Sequence, residues 1–154
     1  MICPVTWEPD VPDDIKAIVE PHLEHWKDLV PTWCQEFIVR YDAVLDNRMA
    51  VKVNYRNRWA LLIVTGLWLG ETQEARDKSL SHELIHVNLE PLVAPVVRII
   101  EDTTKEGTVE RSLADSMFSD GMEAAVEDLA QCIVRMRERE HRQVPQATKR
   151  TVDI

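Results

Sequence analysis

An α+β domain is what this sequence predicts, and three observations carry that expectation. Apolar residues recur at helical spacing near the N-terminus, alternate with polar ones through the middle, and return to helical spacing in the second half. The 154 residues suit one domain, and a 45% apolar fraction is enough to fill a continuous core. Only four glycines and a 29% charged fraction set the chain apart from disordered or low-complexity sequences. The single domain is expected over residues 1–144, with a loose tail over 145–154.

The first helix is predicted between Pro12 and Val30, where Ile15, Ile18, Val19, Leu23, Trp26 and Leu29 share helical spacing. Pro12 suits the first turn, Asp13 and Asp14 complement the helix dipole, Pro21 should kink or divide the helix, and Pro31 ends it. The period then changes to two. Phe37, Val39 and Tyr41 alternate with Ile38, Arg40 and Asp42; after a turn near Asp46-Asn47, Met49, Val51, Val53 and Tyr55 alternate with polar or small residues. Trp59 to Leu69 is apolar on nearly both faces, with Gly66 placed for a bulge. Three consecutive strands joined as an antiparallel meander are the expectation.

From about Thr72 the pattern is helical again, with Leu80, Leu84 and Val87 on one stripe and Pro91 and Pro95 limiting its run. The polar stretch from Glu101 to Asp120 reads as a loop or a short helix. A last helix is predicted from about Asp120 to Gln143, burying Met122, Val126, Leu129, Ala130, Ile133 and Val134.

A formal charge of −9 argues against nucleic acid or anionic lipid as the main partner. The basic run from Arg135 to Arg142 reads as a solvated helix end. Cys3, Cys34 and Cys132 form no CxxC pair and imply no disulfide framework, so a reducing, cytoplasmic setting is expected. The N-terminus has the look of neither a secretory signal nor a membrane span, and no segment reaches the roughly 18 apolar residues that would cross a bilayer.

The segment that carries chemistry is Ser81-His82-Glu83-Leu84-Ile85-His86-Val87, an HExxH motif inside a stretch already read as helical. A spacing of four on a helix turns the imidazoles of His82 and His86 the same way, one turn apart. Such a pair can hold a zinc ion at about 2.0–2.1 Å, and Glu83 then stands where it can take a proton from water. The plain alternative is an amphipathic helix with two exposed histidines. A structural zinc site would favour cysteine ligands, and no cysteine lies near the motif, so an open site is expected. Glu90 continues the series but lies about 12 Å along the axis from His82, too far to share its metal.

The third ligand is sought on the last helix. Glu123 and Glu127 stand one turn apart beside its apolar side, and the small Ala124 and Ala125 allow close approach to the motif helix. Glu123 can complete a His, His, Glu set, and Glu127 can accept a hydrogen bond from a ligating imidazole. The alternative for both is a solvated acidic face. His22 and His25 are read as surface residues.

HExxH on one helix, followed by a glutamate opening ExxxE on a later one, resembles the gluzincin zinc peptidases. The short chain, with strands directly before the motif helix, is similar to minimal gluzincins and to small metallopeptidase-like proteins of phages and prophages. The resemblance spans about Phe37 to Met136. It implies a zincin-like fold, Zn2+ held by His82, His86 and Glu123, Glu83 as general base and Glu127 as the supporting acid. It further implies a peptide or protein substrate adding as an extended strand beside Trp59–Leu69. The chain lacks the long substrate-binding domains of larger members and any recognisable oxyanion-stabilising His or Tyr. A weakly active or inactive regulatory module is therefore the competing expectation.

Overall fold

The computed structural model describes residues 3–143, with side chains up to residue 140. It is an α+β arrangement: β1 (Val5–Trp7), α1 (Asp13–Trp26) closed by a 3-10 turn (Lys27–Leu29), β2 (Glu36–Asp42), β3 (Met49–Asn54), β4 (Trp59–Thr65), the short α2 (Gly66–Leu69), α3 (Gln73–Thr103) and α4 (Val109–Gln143). The tail expected from Pro145 lies outside the described residues. Among them no helix is long and apolar enough to cross a membrane.

The sheet corrects the meander. Its order is β1-β2-β4-β3: β2 runs parallel to both β1 and β4, and only β3 and β4 are antiparallel. β4 is therefore central, paired on one side through Phe37↔Ala60 and on the other through Val51↔Leu62. Its two-sided apolarity follows from this position, because a central strand covered on both faces has no wet side. A substrate strand cannot add beside β4, since both of its edges are taken. Gly66 starts α2 instead of making a bulge: Thr65 Oγ1 accepts a hydrogen bond from Trp68 N at 3.4 Å, and its hydroxyl meets the carbonyls of Asn47 at 2.6 Å and Arg48 at 2.7 Å.

Both long helices exceed their predicted limits. α3 runs through Pro91 and Pro95 to Thr103. The four-residue spacing puts both prolines, and both missing hydrogen bonds, on one side of the helix. α4 starts at Val109, so most of the polar stretch is helical, with residues 101–103 ending α3 and 109–120 opening α4. Thr72 caps α3 by accepting from Ala75 N at 3.3 Å; Thr108 does the same for Arg111 N at 3.3 Å, after a turn at Gly107 whose φ of 78° suits glycine. Pro21 lies within an unbroken α1.

The core lies between the sheet and the helices, with Val19, Trp26, Phe37, Leu62, Trp68, Leu80 and Leu84 fully enclosed. Two tryptophans satisfy their ring N–H groups there: Trp68 Nε1 donates to Arg76 O at 3.1 Å and Trp26 Nε1 to Asp77 Oδ1 at 2.9 Å. His22 is not a free surface residue. Its side chain is 11% exposed, with Nδ1 2.7 Å from Asp77 Oδ1, so α1 is bound to α3 by a half-buried polar contact. Burial alone would raise the Asp77 pKa, but the bonds from His22 and Trp26 overcome it and hold the carboxyl below 3.8. The basic end of α4 is not wholly solvated either: the Arg137 guanidinium lies 4.2 Å over the Trp26 ring and bonds His25 O and Asp28.

Candidate metal centre

The first half of α3 packs on the core through Leu80, Leu84 and Val87, which turns the next face of the helix toward β3 and α4. His82, Glu83 and His86 stand on that face. α4 approaches through a second apolar cluster of Ile85, Val126 and Ala130, with Leu89, Met122 and Ile133 around it. Glu123 and Glu127 flank Val126 on α4 and are carried to the histidines by that contact.

The structure brings four of the five sequence-predicted residues into one cluster. His82 Nε2 and His86 Nε2 are 3.1 Å apart. Glu123 reaches both, Oε2 to His82 Nε2 at 3.3 Å and Oε1 to His86 Nε2 at 3.3 Å. One potential ligand atom from each of the three lies within 4.8 Å of the other two. Tetrahedral bonds of 2.0–2.1 Å place ligand atoms about 3.3–3.4 Å apart, so the spacing fits a single small cation. Two imidazole nitrogens at 3.1 Å need a proton or a cation between them. Burial is the main influence on His86 and lowers its pKa, which favours the neutral ring that a metal requires.

Glu127 meets the other nitrogen of His82, with Oε2 3.4 Å from Nδ1. Its second oxygen is held by Lys78 Nζ at 2.6 Å and Gln131 Nε2 at 2.7 Å. Those two bonds draw the Glu127 pKa down to about 2, so it is a carboxylate. Sequence reading missed Lys78 and Gln131, although each is one turn from a residue it did single out: Lys78 before His82 and Gln131 after Glu127.

Glu83, the fifth residue, sits deeper, against β3. Burial first, and then the Glu123 charge, push its carboxyl up to about 8, with the Val51 backbone N–H pulling the other way. A cleft of about 350 Å³ opens over the cluster, between β3 (Met49, Val51, Val53) and the faces that carry Glu83 and Glu123. Glu90 lines its far end, and burial raises the pKa of that carboxyl too. A smaller cleft of about 240 Å³ adjoins His82 and Glu83 on the other side, with Arg48 and Lys78 in its wall.

No protein-family model matches the chain, and neither does any curated protein or solved structure.

Proposed function

We propose that this chain is a zinc-dependent metallopeptidase, with His82 Nε2, His86 Nε2 and a Glu123 oxygen as the metal ligands. The observation that supports this most is the mutual 3.1–3.3 Å spacing of the three ligand groups beside the buried Glu83. Held by these three residues, zinc would supply Lewis acidity and lower the pKa of water toward about 7. Other small divalent cations fit the same spacing, and the His, His, carboxylate chemistry with an open side favours zinc among them.

The residues of the chain divide the remaining work. Glu83 takes a proton from the attacking water on a carboxylate oxygen as the water oxygen bonds to the amide carbon. It returns that proton to the amide nitrogen as the C–N bond breaks. At neutral pH a carboxyl of pKa about 8 is mostly protonated, so the step needs the cation: held by His82, His86 and Glu123, it would offset the Glu123 repulsion and draw the Glu83 pKa down toward the working range of a general base. Glu127, held by Lys78 and Gln131, fixes the His82 ring with Nε2 toward the cluster. The peptide would lie in the cleft along β3, which among the described residues is paired only with β4; the Val51 N–H already meets Glu83, and the other main-chain groups of that edge would meet an extended chain.

Glu83→Gln tests this reading. The amide keeps the shape but accepts no proton at neutral pH, so fold and zinc content should stay while hydrolysis falls by about 10²–10⁴-fold. Equal cleavage of a diverse peptide library by variant and wild type would end the peptidase reading.

One feature favours a second reading, a regulatory module in which the metal site serves folding or partner binding alone. Leu92, Ile99, Leu113 and Met117, on the distal parts of α3 and α4, are each more than half exposed. A wild type that binds zinc in a 1:1 ratio but cleaves nothing in the library would support it.

A further inference from the structure

Cys3 and Cys34, 31 positions apart, meet at the start of the β1–β2 ladder. The two strands are parallel and paired at Val5↔Phe37, so the residues just before each strand are brought side by side. Cys3 Sγ lies 3.9 Å from Cys34 Sγ. Cys34 is buried in the core, with its sulfur 3.3 Å from the Glu36 carbonyl, whereas Cys3 is half-buried. Cys3 also lines a cleft of about 260 Å³ between β1 and α1, walled by Val5, Trp7, Leu23 and Phe37. This cleft gives a reagent access to one thiol of the pair and not to the other. Cys132 is exposed on α4.

We propose that Cys3 and Cys34 are a dithiol pair that a low-molecular-weight disulfide converts into an intramolecular disulfide, joining β1 to β2. The sulfurs must close by roughly 1.9 Å to reach bonding distance, which rotation of the half-buried Cys3 side chain into better alignment can supply. Cys3, as its thiolate, attacks one sulfur of the reagent. The reagent's S–S bond breaks, one reagent thiol leaves, and a mixed disulfide remains on Cys3. The Cys34 sulfur, giving up its proton, then attacks the Cys3 sulfur and expels the second reagent thiol. The protein loses two electrons and two protons, and the reagent disulfide becomes two thiols. Burial raises the pKa of both thiols, that of Cys34 to about 12, so closure is slow. The same shielding slows attack on the finished bridge.

The bridge would span α1 and the 3-10 turn, tying the three-residue edge strand to the sheet and narrowing the unfolded ensemble. The test uses the folded full-length chain with oxidised glutathione, followed by alkylation, digestion and mass spectrometry without reduction. A linked Cys3–Cys34 peptide pair is expected, with Cys132 recovered only as a glutathione adduct. The melting temperature should rise by about 5–15 °C and fall back on reduction. Cys34→Ser should leave Cys3 as a stable glutathione adduct with no bridge. Cys3→Ala, a change at a half-buried site that spares the core, should abolish the melting shift. Two outcomes overturn the proposal: Cys3 and Cys34 recovered as separate thiols or separate adducts once Cys132 has reacted fully, or a bridge that forms only in denaturant.

Discussion

The sheet half of the molecule and the distal arm of α3 and α4 are built on different terms. Around the sheet, large side chains such as Trp26, Phe37 and Trp68 are fully enclosed, and the ring N–H groups of Trp26 and Trp68 are paired, whereas that of Trp33 is buried without a partner. Past Glu90 the two helices have mainly each other, and Leu92 and Met117 stay 68% and 67% exposed. The candidate centre lies at the boundary between the two. His82, Glu83 and His86 stand on the enclosed half of α3, whereas Glu123, 56% exposed, comes from α4. Three of the four groups of the candidate centre thus stand on a helix packed on the core. The fourth depends on how α4 docks, so a metal held by all three ligands would also tie α4 to the core.

The largest effect that contrast predicts is on stability. Trp68→Ala removes a fully buried ring together with its N–H bond to the Arg76 carbonyl, at a cost of about 3–5 kcal/mol. Leu113→Ala, in the arm at 58% exposure, should change stability by less than about 0.5 kcal/mol. Urea titration of both variants checks the difference. Comparable losses would mean that the arm is enclosed by something other than α3.

The centre itself gives the next ranking. Glu123→Ala removes a proposed ligand and should weaken zinc binding beyond what Glu127→Ala does. Glu127→Ala should cost roughly 10–100-fold, because it frees the His82 ring without removing a ligand. Zinc competition titration measures both, and the reverse order would move the ligand one turn along α4.

How much of this was legible in the sequence follows the same division. Helical periodicity placed α1, the first part of α3 and the later part of α4, because each buries a stripe of its own residues. The run of α3 past Pro91 was hidden by its two prolines, although Val93, Val97 and Ile100 keep helical spacing there, and the start of α4 was hidden by its polar composition. Alternation marked β2 and β3, yet it says which face of a strand is wet and not which strand lies beside it. The parallel β2–β4 pairing was therefore out of reach, and a three-residue β1 leaves no period to detect. HExxH and the Glu123/Glu127 spacing were readable because helix geometry relates residues one turn apart. The His22–Asp77 and Cys3–Cys34 contacts, 55 and 31 positions apart, have no such local rule behind them.

The His22–Asp77 contact gives a pH prediction on the enclosed side. The folded Asp77 pKa lies below its ordinary 3.8, so its stabilisation is complete above that value. As pH falls further, the unfolded chain takes up the proton first, and the contribution disappears as pH passes through the folded pKa. Asp77→Asn should thus be less stable than wild type at neutral pH, with the gap narrowing below about pH 4. A gap that stays constant from pH 7 to pH 3 would mean that the carboxylate charge is not what joins α1 to α3.

The smallest effect belongs to Lys78, and it separates orientation from stability at the boundary. Its ammonium lies 2.6 Å from Glu127 Oε1, but the two side chains are 47% and 38% exposed. Solvent screens a pair of that kind, so Lys78→Met should cost less than about 1 kcal/mol of folding stability. The methionine keeps most of the aliphatic stem, which leaves packing nearly unchanged. Glu127 would still have Gln131 on the same oxygen, at 2.7 Å, and His82 on the other side, so the carboxylate stays near the ring but is held less firmly. Zinc affinity should therefore fall by a few-fold, well short of the Glu127→Ala loss. Gln131→Ala should act in the same direction, and the double variant should approach Glu127→Ala, because both holds on the carboxylate are then gone. If Lys78→Met and the double variant bind zinc as tightly as wild type, Glu127 needs no positioning from its own helix or from α3.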